Sequence, residues 1–239
     1  MDTLINLVED LKVFIYGGMQ SLPLVLGGTL LLLGLFTANY GMLFFLAGYM
    51  VLTPLVTAVV NAIFNNIPDS TWFKIKASEV CGIYSNNKIY EKDAKEAVVF
   101  SQWLAMISFF VGYIANNAMD LYNKDTPDST TNDNLFKNKV MNRKAHAIMS
   151  WIICGLVVIC AIYLRNESGC EGEKNDMTKI FWRIPVSTIG FGTAGYYWYN
   201  YLTSDANSNR LSDLFGIANR LLPPVALANK PTVCLPYKK

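Results

Sequence analysis

The sequence predicts an all-α fold, a polytopic transmembrane helical bundle of about five spans with an interfacial amphipathic helix at each end. Of its 239 residues, 52% are hydrophobic and only 16% are charged, which is typical of membrane proteins rather than of soluble domains. Five stretches lack any charged residue and are near the ~20 residues that a helix needs to cross ~30 Å of hydrocarbon. They cover residues 21–38, 41–64, 97–115, 147–164 and 184–202.

Three regions are expected along the chain. Residues 1–20 are too short and too charged to cross a bilayer, but their apolar residues repeat at helical spacing, which predicts an amphipathic helix in the interface. Residues 21–204 contain the five spans and form the transmembrane bundle. Residues 205–239 begin with a second apolar stripe at helical spacing and end in a proline-containing tail, which predicts an interfacial helix followed by an extended segment.

Six glycines are the predicted helix-packing residues. The stretch GFGTAG at 190–195 has the G-x-G-x-x-G pattern of dinucleotide-binding proteins, but it lies inside an apolar segment instead of between a strand and a helix. We therefore interpret its glycines as small residues that let neighbouring helices approach closely in lipid. Further glycines recur every seven residues across the first two spans and predict a packing stripe on each helix. The six are Gly27, Gly34, Gly41, Gly48, Gly192 and Gly195.

The sequence carries no pattern that indicates catalytic chemistry. Its five cysteines include no C-x-x-C pair and it has one histidine, so neither a metal site nor a cofactor is expected. We recognise no nucleophile–base arrangement and no phosphate-binding loop, and therefore do not expect an enzyme. A lipid-modifying enzyme that uses Asp120 and His146 near one interface is the weakest hypothesis, because it depends on their location alone. The net charge of +2 does not favour nucleic acid as a partner.

Basic residues beside the fourth span predict contacts with lipid headgroups and the orientation of the chain in the membrane. Lys137, Lys139, Arg143 and Lys144 crowd the entrance to the fourth span, where they suit anionic lipid headgroups. This is the densest basic run beside a span, so we expect it on the inner side of the membrane. Five crossings then place the N-terminus on the outer side.

Two cysteines fall on the same side of the membrane in a five-span arrangement, namely Cys81 and Cys170. A disulfide between them would tie two loops together, but it requires an oxidising compartment. Two reduced thiols are the alternative, and the sequence leaves both open.

The tail at residues 223–239 is the expected binding segment for partner proteins. Its prolines reduce the conformational freedom of the free chain, so less ordering entropy is lost when the tail binds. Its apolar residues alternate in two short runs, which would let an extended strand present one apolar face to a partner. A tail that contacts nothing is the alternative.

Three segments together resemble a known class of protein. They are the short N-terminal amphipathic helix, the hairpin SLPLVLGGTLLLLGLFTANYGMLFFLAGYM and the segment RIPVSTIGFGTAGYYWYNYL. In texture they are similar to the multi-pass membrane proteins of large double-stranded DNA viruses of eukaryotes. The resemblance implies a place in the internal membrane of the virion, beneath the capsid, where such proteins anchor capsid components or shape the bilayer.

We therefore expect a structural or scaffolding integral membrane protein of a virion's internal membrane or a host endomembrane. Its expected partners are the lipid bilayer and other membrane or capsid proteins. The alternative is a small channel or transporter. A pore would need polar residues aligned along one helix face. The third span and its end offer Ser101, Gln102, Ser108, Asn116 and Asn117 for that role.

Overall fold

The computed structural model describes residues 2–36, 40–67, 100–123, 134–167 and 177–203, and every regular element within them is a helix. The predicted all-α helical bundle is therefore confirmed. α2, a π-helical segment and α3 follow one another without a break, so the described residues form five rods. The elements are α1 (Asp2–Phe36), α2 (Tyr40–Leu46), the π segment (Ala47–Leu52), α3 (Thr53–Asn65), α4 (Gln102–Asn123), α5 (Asn134–Glu167) and α6 (Met177–Thr203).

Four stretches of these rods are long and apolar enough to cross a membrane, which is consistent with an integral, multi-pass membrane protein. They are Gly17–Phe36, Tyr40–Phe64, Gln102–Asn123 and Met141–Tyr163. The fifth predicted span lies in α6, a helix of 27 residues. At ~1.5 Å per residue α6 is about 40 Å long, which is sufficient to cross. Its tyrosines, glycines and threonines make it less apolar than the other four, so its crossing stays a prediction.

The two ends of the bundle follow from contacts between helices. At one end, the Asn61 side chain of α3 donates to the carbonyl of Phe100 and accepts from its N–H, at 3.1 and 2.9 Å. Arg165, near the end of α5, donates to Ser101 at the same end. At the other end of α4, Asn116 contacts Asn200 of α6. α4 and α6 therefore run parallel, and α5 runs antiparallel to both.

α4 is the central helix, and most of its side chains are buried. It packs against α6, α5, α3, α1 and the π segment, with its most extensive contact to α6. Aromatic rings fill the space between α2, the π segment, α4 and α6: the Phe45 and Tyr113 ring centroids are 4.5 Å apart, and those of Tyr113 and Tyr199 are 5.2 Å apart. The core of the bundle is consequently a block of fully buried aromatic side chains.

Pro23 lies inside α1 and is buried. A proline has no N–H, so it leaves the carbonyl four residues earlier without its helical donor. Here that carbonyl belongs to Met19, and the indole Nε1 of Trp103 on α4 donates to it at 2.9 Å. The Tyr49 hydroxyl donates to the carbonyl of Pro23 itself at 3.1 Å. Two other helices thus supply the hydrogen bonds around this proline.

The π segment joins α2 to α3 immediately before Pro54, which occupies the first turn of α3. Both the N–H and the hydroxyl of Thr53 donate to the carbonyl of Gly48, the hydroxyl at 2.9 Å. The Thr57 hydroxyl then donates to the carbonyl of Thr53 at 2.7 Å. These hydroxyl groups are therefore hydrogen-bonded within their own helix, as buried Thr side chains in a membrane helix must be.

α1 continues without a break from Asp2 to Phe36 and includes the candidate span Gly17–Phe36. Residues 2–20 therefore belong to the same helix as the first span, and their place in the membrane interface stays a prediction. The predicted interfacial helix and tail at 205–239 lie outside the described residues, as do Cys81 and Cys170.

Candidate functional site

The backbones of α4 and α6 come into direct contact. A Cβ added to Gly112 of α4 would overlap the carbonyl oxygen of Gly192, and one added to Gly195 of α6 would overlap the carbonyl oxygen of Phe109. A Cβ at Gly192 would lie 3.7 Å from the carbonyl oxygen of Ser108, which is ordinary contact. Two backbones therefore touch directly, and Gly112 and Gly195 are the positions where only hydrogen fits.

The four glycines spaced by seven residues are all buried. A Cβ at Gly27 would lie 2.5 Å from Sδ of Met50, so α1 approaches the α2–α3 rod there. A Cβ at Gly48 would lie 2.7 Å from Nε1 of Trp198 on α6 and 2.9 Å from Cζ of Phe109. The other two members of the stripe, Gly34 and Gly41, share this burial.

A polar network joins α4 and α6 at their C-terminal ends. The Asn116 side-chain amide donates to the carbonyl of Tyr196 at 2.9 Å and to Oδ1 of Asn200 at 2.8 Å. The Asn117 amide donates to the Tyr199 hydroxyl at 3.1 Å, and that hydroxyl donates to Oδ2 of Asp120 at 2.9 Å. Asn116, Asn117 and Tyr199 are each at most 5% exposed. This network explains why α4 continues to Asn123, past the end of the predicted span at residue 115.

A cleft of about 390 Å³ opens beside this network. Seven described residues line it, all from α4 and α6, and six of the seven have polar side chains. The carboxylate of Asp120 is the single charged group among them. The lining residues are Asn116, Met119, Asp120, Asn123, Tyr199, Asn200 and Thr203.

The basic residues predicted to meet lipid headgroups all belong to α5. Lys137 and Lys139 lie near its start, followed by the half-buried Arg143 and the exposed Lys144. The Lys144 Nζ lies 5.1 Å from the ring centroid of Tyr122, next to the end of α4. The basic end of α5 and the polar cleft therefore occupy the same end of the bundle.

Four of the five polar residues predicted to line a pore lie in contacts between helices, and the fifth, Gln102, is half-buried. Ser108 is buried beneath Gly192, and Ser101 accepts a hydrogen bond from Nη2 of Arg165 at 2.8 Å. Asn116 and Asn117 are the members of the α4–α6 network described above. Interhelical hydrogen bonds of this kind hold membrane helices together.

The two residues of the enzyme hypothesis are not joined. Asp120 accepts from Tyr199, whereas the backbone carbonyl of the exposed His146 accepts from Ser150. Within the described residues no hydrogen bond connects the two side chains, and no group of histidine, cysteine and acidic residues has the arrangement of a metal site.

Several residues that join the helices are not identified by the sequence. Gly112 is a lone glycine in its span, and Tyr199 and Asn200 lie in an aromatic run that reads as an interfacial belt. Arg165 follows the fourth span, where a basic residue is ordinary, yet it is buried with its guanidinium carbon 4.8 Å from the Trp103 ring centroid. No periodic sequence pattern marks these positions, because the role of each residue comes from its contact with another helix.

No protein-family model, curated protein or solved structure matches the chain.

Proposed function

We propose that this protein is a structural, scaffolding integral membrane protein rather than an enzyme or a solute pathway. The observation that supports the proposal most is the use of polar side chains on the central helix. Ser108, Asn116 and Asn117 are buried in contacts between helices, and aromatic rings fill the core beside them. Of these three, Asn116 also lines the polar cleft, whereas Ser108 and Asn117 are not part of its described lining.

The proposed setting is the internal membrane of a large DNA virus or a host endomembrane. It follows from the resemblance in sequence texture to such multi-pass proteins. In this setting the four apolar spans anchor the chain, and residues 223–239 hold a capsid or membrane partner. The exposed apolar side chains of α1, α3 and α5 suit contact with lipid tails or with other membrane helices.

A small channel or transporter is the second candidate, and the polar cleft at the end of α4 and α6 is the observation in its favour. Tyr199 lines this cleft and packs edge-on against Tyr113, which in turn contacts Phe45. A solute that entered the cleft would therefore meet fully buried rings.

Flux through liposomes distinguishes the two functions. The purified full-length protein is reconstituted, and efflux of K⁺, Cl⁻ and a small neutral solute is measured. We expect efflux rates equal to those of protein-free liposomes, because the buried rings of Tyr113 and Phe45 lie behind the cleft. The matched variant Tyr113→Ala removes one of these rings and shows whether a leak would be detected. Selective, saturable flux through the unaltered protein would overturn the scaffold proposal.

A further inference from the structure

The cleft between the ends of α4 and α6 has the chemistry of a cation site. Among the described residues that line it, the carboxylate of Asp120 is the only formal charge, and none of them is a lysine, arginine or histidine. Carboxylate, amide and hydroxyl oxygens supply hydrogen-bond acceptors around it. α4 and α6 run parallel and both end beside the cleft, at Asn123 and Thr203. The C-terminal ends of helices carry partial negative charge, which adds to the attraction for a cation.

The acceptors of the cleft are held in place by the network beneath it. The Tyr199 hydroxyl fixes one carboxylate oxygen of Asp120, and the Asn116 amide holds Oδ1 of Asn200. The Thr203 hydroxyl donates to the carbonyl of Tyr199 at 2.9 Å, so its oxygen also has a fixed position. A ligand therefore meets groups that are already oriented, which lowers the cost of ordering them on binding.

The size and charge of the cleft favour an organic ammonium group over a metal ion. A volume of about 390 Å³ lies in the range of small-molecule pockets and exceeds what a bare ion fills. Protein Ca²⁺ sites take six to eight oxygen ligands, and their affinity rises with the number of carboxylates. Here a single carboxylate matches a single positive charge.

The position of the cleft indicates where this ammonium group comes from. The apolar span Gln102–Asn123 ends at the cleft, so the cleft lies at the level of the lipid headgroups when α4 crosses a bilayer. Lys144 lies at the same end of the bundle, beside Tyr122. A zwitterionic lipid carries an ammonium for a carboxylate and a phosphate for a lysine, and both partners are present here.

We propose that this cleft binds the primary ammonium group of a phosphatidylethanolamine headgroup. A primary ammonium has three N–H donors, which suits a cleft of oxygen acceptors. A quaternary ammonium has none and is bound by cages of aromatic rings. Within the part of the chain that the structure describes, Tyr199 is the only aromatic residue of the cleft lining. The site requires the placement of the chain in a membrane, but it does not depend on the scaffold role.

Lipid retention tests this site. The full-length protein is reconstituted in nanodiscs containing equal amounts of phosphatidylethanolamine, phosphatidylcholine and phosphatidylglycerol, and the lipids retained after extraction are measured by native mass spectrometry. We expect preferential retention of phosphatidylethanolamine. Asp120→Asn should weaken that retention about tenfold, because it removes the charge from the hydrogen bond. Asn123→Ala, which leaves the carboxylate and its tyrosine partner in place, should weaken it by a smaller factor.

The control variant is Asp10→Asn, which removes an exposed carboxylate on α1 outside the cleft. It should retain phosphatidylethanolamine like the unaltered protein. Free ethanolamine added in excess distinguishes the source of the ammonium: competition without lipid preference would assign the site to a soluble amine and overturn the lipid proposal. Equal retention of the three lipids would overturn it as well, as would retention that Asp120→Asn and Asn123→Ala both leave unchanged.

Discussion

At the residue scale, the fit between α4 and α6 depends on which partner atom faces each glycine. The G-x-G-x-x-G motif identified α6 as a packing helix, but motif membership does not rank its glycines. Gly190 faces open space, Gly192 is in ordinary contact, and Gly195 lies directly against the Phe109 backbone. Gly112, which belongs to no motif, faces the carbonyl of Gly192. Whether a glycine is required for packing therefore depends on the atom of the neighbouring helix that faces it, and not on its position in the motif.

Alanine substitutions should separate these glycines. Gly112→Ala and Gly195→Ala place a methyl group against a backbone that cannot move alone, so each should lower the free energy of unfolding by about 1–3 kcal/mol. Gly192→Ala should have little effect, because its nearest neighbour outside the helix is 3.7 Å away. Thermal unfolding in detergent, followed by circular dichroism, measures the difference.

The matched control for these variants is Gly190→Ala on the same helix, where an added Cβ meets nothing within 4 Å. Alanine has a higher helix propensity than glycine, so this variant should unfold at the same or a slightly higher temperature. If all four variants had equal stability, the close contact of α4 with α6 would be refuted.

At the element scale, α1 tolerates an internal proline because another helix supplies the missing donor. The sequence shows that Pro23 interrupts the backbone hydrogen bonds of a helix, but it does not show which group replaces the missing N–H donor. The indole that bonds the Met19 carbonyl belongs to Trp103, 84 residues later in the chain. Sequence reasoning finds the local defect, whereas only the packing of α1 against α4 identifies the residue that compensates for it.

A double-mutant cycle tests this compensation. Trp103→Phe keeps an aromatic ring but removes the indole N–H, so it should cost about 1 kcal/mol of stability in the natural chain. Pro23→Ala restores an amide at position 23 that donates to the Met19 carbonyl. In that background the same tryptophan substitution should cost measurably less. Chemical unfolding of the four proteins gives the coupling energy. An equal cost in both backgrounds would show that Trp103 acts through its ring alone.

At the scale of the whole molecule, hydropathy and charge were sufficient to predict the class of fold but not the interior. The first, second and fourth spans are dominated by apolar residues, and the structure has helices there. α4 continues beyond the predicted span, which ends at residue 115, and includes Asn116, Asn117 and Asp120. They are accommodated in a helix since Tyr199 and Asn200 bond to them from α6. The polar cleft could therefore not be predicted from the sequence, because no sequence pattern indicates that α4 packs against α6.

The same contacts predict the sidedness of the loops. Asn61 and Phe100 bring the end of α3 to the start of α4, and Arg165 brings the end of α5 to that same end of the bundle. The segments after α3 and after α5 should consequently emerge on one side of the membrane. The segment between α4 and α5 should emerge on the other side. The tail joins that second segment only when α6 also crosses.

Cysteine labelling decides this arrangement, including the crossing by α6. Single cysteines are introduced as Asn87→Cys, Thr130→Cys, Gly172→Cys and Lys230→Cys in a chain whose five natural cysteines are replaced by alanine. An impermeant maleimide is then applied to sealed vesicles of known orientation. We expect positions 87 and 172 to react from one face and positions 130 and 230 from the other. Reaction of 87 and 130 from the same face would mean that α4 does not cross. Reaction of 230 from the same face as 172 would mean that the chain crosses four times and that α6 packs against α4 without spanning the bilayer. The physical reason would be the composition of α6, whose tyrosine- and glycine-rich surface would then contact protein and the interface rather than lipid tails.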